Sequence, residues 1–286
     1  MTTSARAACI VGWPVEHSRS PLIHNYWLKH YGIAGEYRSE AVPPDRFGAF
    51  VLSLGTRGYV GANVTVPHKE AALALSEPDD RARAVGAANT LWLDGVLRST
   101  NTDVEGFLDN LDAGAPGWDR ELTKAVVLGA GGAARAVIYG LVARGVPRIM
   151  VVNRTASRAK ALRDRFGASV HPATWDERDA ALADAGLLVN STTLGMERQP
   201  ALAVDVGRLP SHAVVADLVY VPLATPLLVA AKARKLRTTD GLGMLLHQAV
   251  RGFTLWFGKK PAVTAELRAL LEANLSPFAV KPAGIT

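Results

Sequence analysis

The feature that most limits what this chain can fold into is a glycine-rich turn set between an apolar strand and an apolar helix. Ala125–Val126–Val127–Leu128 reads as a buried strand, and Gly129–Ala130–Gly131–Gly132–Ala133–Ala134 follows at once. Apolar helical spacing then runs to about Ala143, and a further strand is expected over Arg148 to Val152. The turn thus lies inside a β-α-β unit of about 30 residues, the setting in which G-x-G-x-x-A carries meaning. Gly129 suits the tight turn, Gly131 admits close approach of backbone to a pyrophosphate, and Ala134 is small enough for helix and strand to pack closely. A doubly wound parallel sheet that binds a dinucleotide is expected. A glycine-rich turn without a ligand is the weaker reading.

The end of the next strand selects among dinucleotides. A chain that prefers the unphosphorylated nicotinamide nucleotide usually places Asp or Glu there, on the ribose hydroxyls. This chain has Asn153–Arg154–Thr155, with Arg158 one helical turn beyond Arg154. Guanidinium groups bind phosphate through paired, charge-assisted hydrogen bonds, so NADP is favoured over NAD. Arg158 alone also fits a solvated helix face, since Arg163 and Arg165 follow; Arg154 is the stronger candidate. Alternation continues with the strand Leu187–Asn190, which ends in Ser191–Thr192–Thr193. Val214–Val215–Ala216 leads to Asp217–Leu218–Val219–Tyr220, and Thr225–Pro226 starts another helix. Polar residues at the carboxyl ends of parallel strands are where such sheets bind ligands.

The first hundred residues also alternate strands and helices. Ala7 to Val11 opens as a strand, and a helix is expected from Pro21 to Gly32, with Ser20 as its N-cap and Ser18 beside it. Two hydroxyls there serve capping or hold a carboxylate with the helix N-terminus. A strand over Glu36 to Val42 and a helix over Pro44 to Leu54 lead to Ala62–Asn63–Val64–Thr65–Val66–Pro67–His68–Lys69. Val64 and Val66 alternate with polar Asn63 and Thr65, and Pro67 is expected at the first helical position. Lys69 then sits in the first turn, where a cation opposes the helix dipole. From this stretch alone it reads as a surface lysine offset by Glu70. Gly86–Ala87–Ala88–Asn89–Thr90 enters a strand, Asp94–Gly95 marks a hairpin, and Asp103 is expected to cap a helix over Val104 to Leu111. Gly114 to Gly117 reads as a linker by composition. Near the end, Thr239–Asp240–Gly241–Leu242–Gly243 precedes a helix expected from Met244 to Phe257, on which Gly241, Met244, Gln248 and Gly252 form an uncharged face. Residues Ser276 to Thr286, with two prolines, read as a frayed tail.

Composition excludes several classes. With 286 residues, 49% apolar and 20% charged, the chain has the profile of a globular protein of two domains. No apolar run is long enough to span a membrane, and the start does not read as a secretory signal. The single cysteine, Cys9, allows no internal disulfide and fits a reducing cytoplasm. The net charge of +6 is scattered, with no basic run interleaved with aromatics, so no nucleic-acid partner is expected. The seven histidines show no ligand spacing, so no metal site is expected.

Taken together, Ser18–Arg19–Ser20–Pro21, Asn63 to Lys69, Gly86 to Thr90, Asn101–Thr102–Asp103, Gly129 to Ala134, Asn153–Arg154–Thr155, and Asp240 to Met244 with Gln248 resemble the shikimate/quinate dehydrogenase family. The match runs from about Ala8 to Leu275. It implies NADP-dependent, reversible reduction of 3-dehydroshikimate to shikimate, a step of chorismate and aromatic amino acid biosynthesis. It also implies an α/β substrate domain with a mixed sheet over 1–104, completed by 243–275. A Rossmann-type NADP domain over 105–242 would follow, with the active site in the cleft between the two. Ser18 and Ser20 would hold the substrate carboxylate. Thr65, Asn89, Tyr220 and Gln248 would contact the carboxylate or ring hydroxyls, and Lys69 with Asp103 would form the catalytic pair. Gly129, Ala130, Gly131, Gly132, Ala133, Asn153, Arg154, Thr155, Arg158, Thr192, Leu218, Gly241 and Met244 would line the cofactor site. The expected state is a monomer or homodimer, the homodimer favoured. The chain departs from the family at Val104–Glu105 after Asp103, and at Asn190 to Met196. Quinate or broad hydroxy-acid oxidation is the rival activity, and a non-catalytic NADPH-sensing module the rival class.

Overall fold

The computed structural model describes residues 6–275; the tail expected at Ser276 to Thr286 lies outside them. The elements up to residue 100 are β1 (Arg6–Gly12), α1 (Ser20–His30), β2 (Gly35–Ala41), α2 (Pro44–Leu52), β3 (Tyr59–Val64), α3 (Lys69–Ala74), β4 (Glu77–Pro78), α4 (Asp80–Val85), β5 (Thr90–Asp94) and β6 (Val96–Thr100). There follow α5 (Asp103–Gly114), β7 (Lys124–Leu128), α6 (Gly132–Ala143), β8 (Arg148–Asn153), α7 (Ala156–Phe166), β9 (Val170–Thr174), α8 (Arg178–Ala181) and β10 (Leu187–Asn190). The chain closes with β11 (Val214–Asp217), α9 (Pro226–Ala233), β12 (Arg237–Thr239), α10 (Gly241–Phe257) and α11 (Ala265–Leu275). Contacts divide these residues into two units, 6–103 with 246–267, and 104–245 with 268–275.

The first unit holds a six-stranded mixed sheet in the order β2-β1-β3-β5-β6-β4. β1 runs parallel to β2 and β3, while β5 is antiparallel to β3 and β6. Because the direction reverses at β5, the carboxyl ends of β1, β3 and β6 and the amino end of β5 meet at one end of the sheet. Ala7, Cys9 and Val11 alternate onto one face, under Phe47, Phe50 and Val51 of α2. On the other, His24 and Trp27 of α1 pack with Tyr37, Phe253 and Trp256. The indole of Trp256 donates to Leu91 O at 2.8 Å. A Cβ at Gly61 would lie 2.1 Å from that nitrogen, so only glycine lets the indole reach strand β5.

The second unit is an all-parallel sheet in the order β12-β11-β10-β7-β8-β9. Its inner strands β7, β10 and β11 are buried on both faces, as parallel strands are when helices cover each side. Ala125, Val127, Ile149, Val151, Leu187 and Val189 join one core, and Val126, Leu128, Val152 and Leu188 the other. The chain order reverses between β7 and β10, the crevice at which such sheets take ligands.

Several local expectations are corrected. Strand β3 stops at Val64, and Val66 is exposed. Pro67 lies in a turn, and α3 begins at Lys69. The turn forms because Thr65 N–H is held by Val11 O and His68 N–H by Thr65 O, which redirects the chain before a helix can start. Ser20 is the first residue of α1 and not its cap; Arg19 holds that position, without a side-chain capping bond. Asp103 likewise begins α5, and its N–H is received by Asn101 Oδ1 at 3.1 Å. Helix α10 starts at Gly241, three residues before the expected Met244, because Asp240 Oδ1 receives Gly243 N–H at 3.0 Å. Gly114 to Gly117 lies inside the second unit with Ala115 buried. The hairpin at Asp94–Gly95 forms as expected, with Asp94 paired to Val96 and Gly95 at φ +72°.

Candidate active site

Lys69 and Asp103, the pair the resemblance singles out, lie at the shared sheet end. Lys69 opens α3 just beyond β3, and Asp103 opens α5 just beyond β6. Their side chains meet at 2.6 Å, Nζ donating to Asp103 Oδ2. Both are only partly exposed, at 29% and 16%. The other carboxylate oxygen accepts from Asn89 Nδ2 at 2.8 Å. Asn89 is itself fixed, since its Oδ1 receives Thr102 N–H at 2.8 Å and the hydroxyls of Thr90 and Thr102 at 3.1 Å. The Thr102 hydroxyl also lies 3.4 Å from Gln248 Oε1. A lysine is thereby anchored to a carboxylate whose orientation is set by a buried amide.

Ser18 and Ser20 stand where the chain leaves β1. Ser18 Oγ accepts Ser20 N–H at 3.2 Å, which leaves its proton available to a carboxylate. Ser20 is buried and Ser18 half-buried. Thr65 closes over the end of β1, where a Cβ on Gly12 would fall 2.3 Å from Thr65 Cγ2. His68 secures the turn, its Nε2 2.7 Å from Val42 O and its ring stacked on Phe47 at 4.3 Å. Ser18, Ser20, Thr65, Lys69, Asn89, Asp103 and Gln248 thus belong to the first unit. Tyr220 lies in the second, just beyond β11.

In the second unit the glycine turn follows β7. Gly129 takes φ +104°, and a Cβ there would meet Ser191 Oγ at 2.9 Å. Gly131 and Gly132 instead face open space at the start of α6, where an added Cβ would meet nothing within 4 Å. An open backbone at a helix N-terminus suits a pyrophosphate. Beside it runs a groove of about 510 Å³ lined by Ala130, Gly131, Arg135, Arg158, Leu162 and Arg165. Arg154 is exposed, and Asn153 Nδ2 donates to Thr155 O at 2.9 Å, shaping the turn out of β8. Leu218 N–H is received by Asn190 O at 3.0 Å. Gly241 N–H is received by Val219 O at 3.2 Å, and a Cβ on Gly241 would sit 2.1 Å from Leu218 O. Met244 is buried in the core of this unit.

Comparison with known proteins places this geometry in a family. Residues 10–91 match the shikimate dehydrogenase substrate binding domain, 118–240 the shikimate / quinate 5-dehydrogenase model, and 241–271 the shikimate 5'-dehydrogenase C-terminal domain. A shikimate dehydrogenase (NADP(+)) of Rhodopseudomonas palustris strain TIE-1 is 67% identical over 97% of this chain and 100% of its own length. The chain belongs to the shikimate dehydrogenase family. The shikimate 5-dehydrogenase of Thermus thermophilus, solved with NADP(H) and shikimate, superposes with a TM-score of 0.80 at 35% identity, covering 96% of this chain and 99% of that one. A quinate dehydrogenase of Corynebacterium glutamicum, solved with NAD, superposes at 0.88 with 32% identity over 95% and 100%.

Some residues of the site escape sequence reasoning. Asn63 looks like an ordinary polar strand position, yet it is buried, accepts from Tyr37 Oη at 2.6 Å and donates to Thr90 Oγ1 at 3.2 Å. An asparagine inside an otherwise apolar strand was the available signal. Arg165 lies seven residues after Arg158, two turns along the same helix face, and joins it at the groove with Arg135. Among the described residues no cluster of three or more His, Cys, Asp or Glu could hold a metal, and no helix is long and apolar enough to cross a membrane.

Proposed function

We propose that this chain is an NADP-dependent shikimate dehydrogenase that reduces 3-dehydroshikimate to shikimate and runs the reverse reaction, on the route to chorismate and aromatic amino acids. The Lys69–Asp103 contact at 2.6 Å, locked by Asn89, carries the reading. A ketone reduction needs a proton donor beside the forming alkoxide, and an ammonium held by a carboxylate supplies one. The relative at 67% identity bears the name shikimate dehydrogenase (NADP(+)), which supports the substrate and cofactor chosen.

The second unit fits the cofactor on its own geometry: an open glycine backbone at α6 and a groove lined by guanidinium groups. Gly129 to Ala133 would receive the pyrophosphate, while Arg154 and Arg158 would take the 2′-phosphate. Asn153, Thr155, Thr192, Leu218, Gly241 and Met244 would complete the lining. When bound, NADPH supplies the hydride to the carbonyl carbon. Lys69 protonates the oxygen during reduction and accepts that proton during oxidation, exchanging it with solvent between turnovers. Asp103 keeps the ammonium in place, and Asn89 keeps Asp103 in place. Ser18 and Ser20 donate to the substrate carboxylate, while Thr65, Gln248 and Tyr220 contact the carboxylate or ring hydroxyls. The single cysteine is buried and free, in keeping with an enzyme of the cytoplasm, acting as monomer or homodimer.

The deciding experiment measures kcat/KM for shikimate and quinate, each with NADP and with NAD. Shikimate with NADP is expected to lead. Equal or better turnover of quinate, or of NAD, would overturn the specificity. NADPH binding with no turnover of either acid would make the protein a sensor.

A further inference from the structure

Asp217 ends β11 and is 1% exposed, a buried carboxylate with no cation beside it among its hydrogen-bond partners. Burial raises its pKa, opposed by three donors that all favour the anion. Oδ1 accepts from Asn190 Nδ2 at 2.9 Å and from Val219 N–H at 3.1 Å, and Oδ2 accepts from Thr225 Oγ1 at 2.7 Å. Those donors hold the carboxylate in one orientation, and it in turn orients the groups that bond to it.

The consequence passes through Asn190, which is wholly buried at the end of β10. Its Nδ2 gives one proton to Asp217 and the other to Leu194 O at 3.1 Å. Its Oδ1 accepts from Thr192 N–H at 3.1 Å and from Thr192 Oγ1 at 2.7 Å. A flipped amide would set its protons against the Thr192 N–H and its oxygen against the Asp217 carboxylate, so the carboxylate fixes the amide. An amide oxygen can only accept, and so the single hydroxyl proton of Thr192 must point inward. Leu194 N–H, at 3.1 Å, uses one lone pair of that hydroxyl and leaves one. The methyl is held as well: a Cβ on Gly129 would stand 3.0 Å from Thr192 Cγ2, beside the glycine turn. Thr192 therefore offers a ligand an acceptor and no donor.

We propose that Asp217 is a positioning residue for the cofactor, acting through Asn190 to present Thr192 as a hydrogen-bond acceptor for a hydroxyl or amide donor of NADP and not for a phosphate oxygen. This rests on the cofactor reading above. A phosphate oxygen is itself only an acceptor, and meeting the Thr192 lone pair it gains nothing. The ribose hydroxyls and the carboxamide N–H groups are the donors a nicotinamide nucleotide carries.

The test is a double-mutant cycle read by the NADPH dissociation constant from fluorescence titration, with kcat at saturating cofactor measured beside it. Wild-type binding is measured first, and its absence would refute the cofactor reading independently of the proposal. Thr192→Val and Asp217→Leu are each expected to raise Kd about five- to tenfold, the worth of one hydrogen bond, with kcat within about twofold. Asp217→Asn, which can still accept from Asn190, is expected to restore binding. In the Thr192→Val background Asp217→Leu is expected to add nothing. An equal added loss there, or no loss in the wild-type background, would overturn the proposal, as would failure of Asp217→Asn to restore binding in a folded protein. Asn190→Ala removes the amide that holds the Thr192 proton inward and serves in the same cycle, by the same criteria, if Asp217→Leu does not fold. An analogue with acetyl in place of the carboxamide separates the two donors. The Thr192→Val effect disappears with it if the carboxamide is the donor and persists if a ribose hydroxyl is.

Discussion

Lys69 is the residue whose reading changes most between the chain and the fold. Beside Glu70 on a six-residue helix it resembles a surface lysine, but its Nζ lies 2.6 Å from Asp103. Lys69→Ala should lower kcat by about 10²–10⁴-fold, the range for a lost general acid, at nearly unchanged NADPH affinity. Steady-state kinetics beside a binding titration checks this, and wild-type turnover would remove the role. The arginines make a separate prediction. Arg158 borders the groove beside Gly131, and Arg158→Ala should raise KM for NADP about 10- to 100-fold while leaving NAD little changed, the loss of a charge-assisted bond. A parallel loss with both nucleotides would place Arg158 elsewhere than on the 2′-phosphate. Arg154, the stronger candidate from strand position, and Arg158 were both legible in the sequence. Arg135 was not, because its place depends on how α6 packs beside α7.

Among elements, the layer of α1, β2 and α10 holds a group with an unusual charge state. His24 is fully buried and stacked on Tyr37 at 4.1 Å, and neither ring nitrogen has a hydrogen-bond partner. Burial lowers its pKa from 6.5 to about 3, opposed by the neighbouring Asn63 side chain, which favours the charged ring. The folded ring thus stays neutral while the unfolded ring takes a proton below pH 6.5. This contribution to stability is complete above pH 6.5 and is lost as pH falls from 6.5 toward 3. His24→Phe keeps the stacking and loses no bond, so it should remove up to one proton from the uptake on unfolding, about 1.4 kcal/mol per pH unit. Urea unfolding midpoints from pH 7 to 4 read this out, and identical slopes in the two proteins would refute it. The helix itself was legible from Ile23, Tyr26, Trp27 and Gly32. That its histidine would lie between Tyr37 and Trp256 was not, since those partners come from β2 and α10.

For the whole molecule, part of the +6 charge gathers where Arg135, Arg158 and Arg165 line one groove, the proposed nucleotide site. Ligand linkage gives a test at this scale. NADP at about 100 times its Kd should stabilise the protein by about 2.7 kcal/mol, with NAD at the same concentration giving less. Thermal melts with each nucleotide measure it, and an equal rise from both would contradict the arginine argument.

The amino-acid sequence alone determined the periods: apolar strands of parallel-sheet type, the glycine turn with its small third position, the Asp94–Gly95 hairpin, and the Arg154–Arg158 pair in place of an acidic residue. These are encoded within a few residues, where backbone sterics and burial act locally. The motif match also named Lys69 and Asp103 while leaving their contact an inference. Only tertiary structure decided that β3 neighbours an antiparallel β5, which brings residues 34 apart in the chain within 2.6 Å. It also moved the start of α3 from Pro67 to Lys69, through backbone bonds from Thr65 to β1. The same holds for Asp217, whose three partners come from β10, α9's cap and its own loop. Strand order and buried hydrogen-bond closure are properties of the assembled sheet, and no window of sequence contains them.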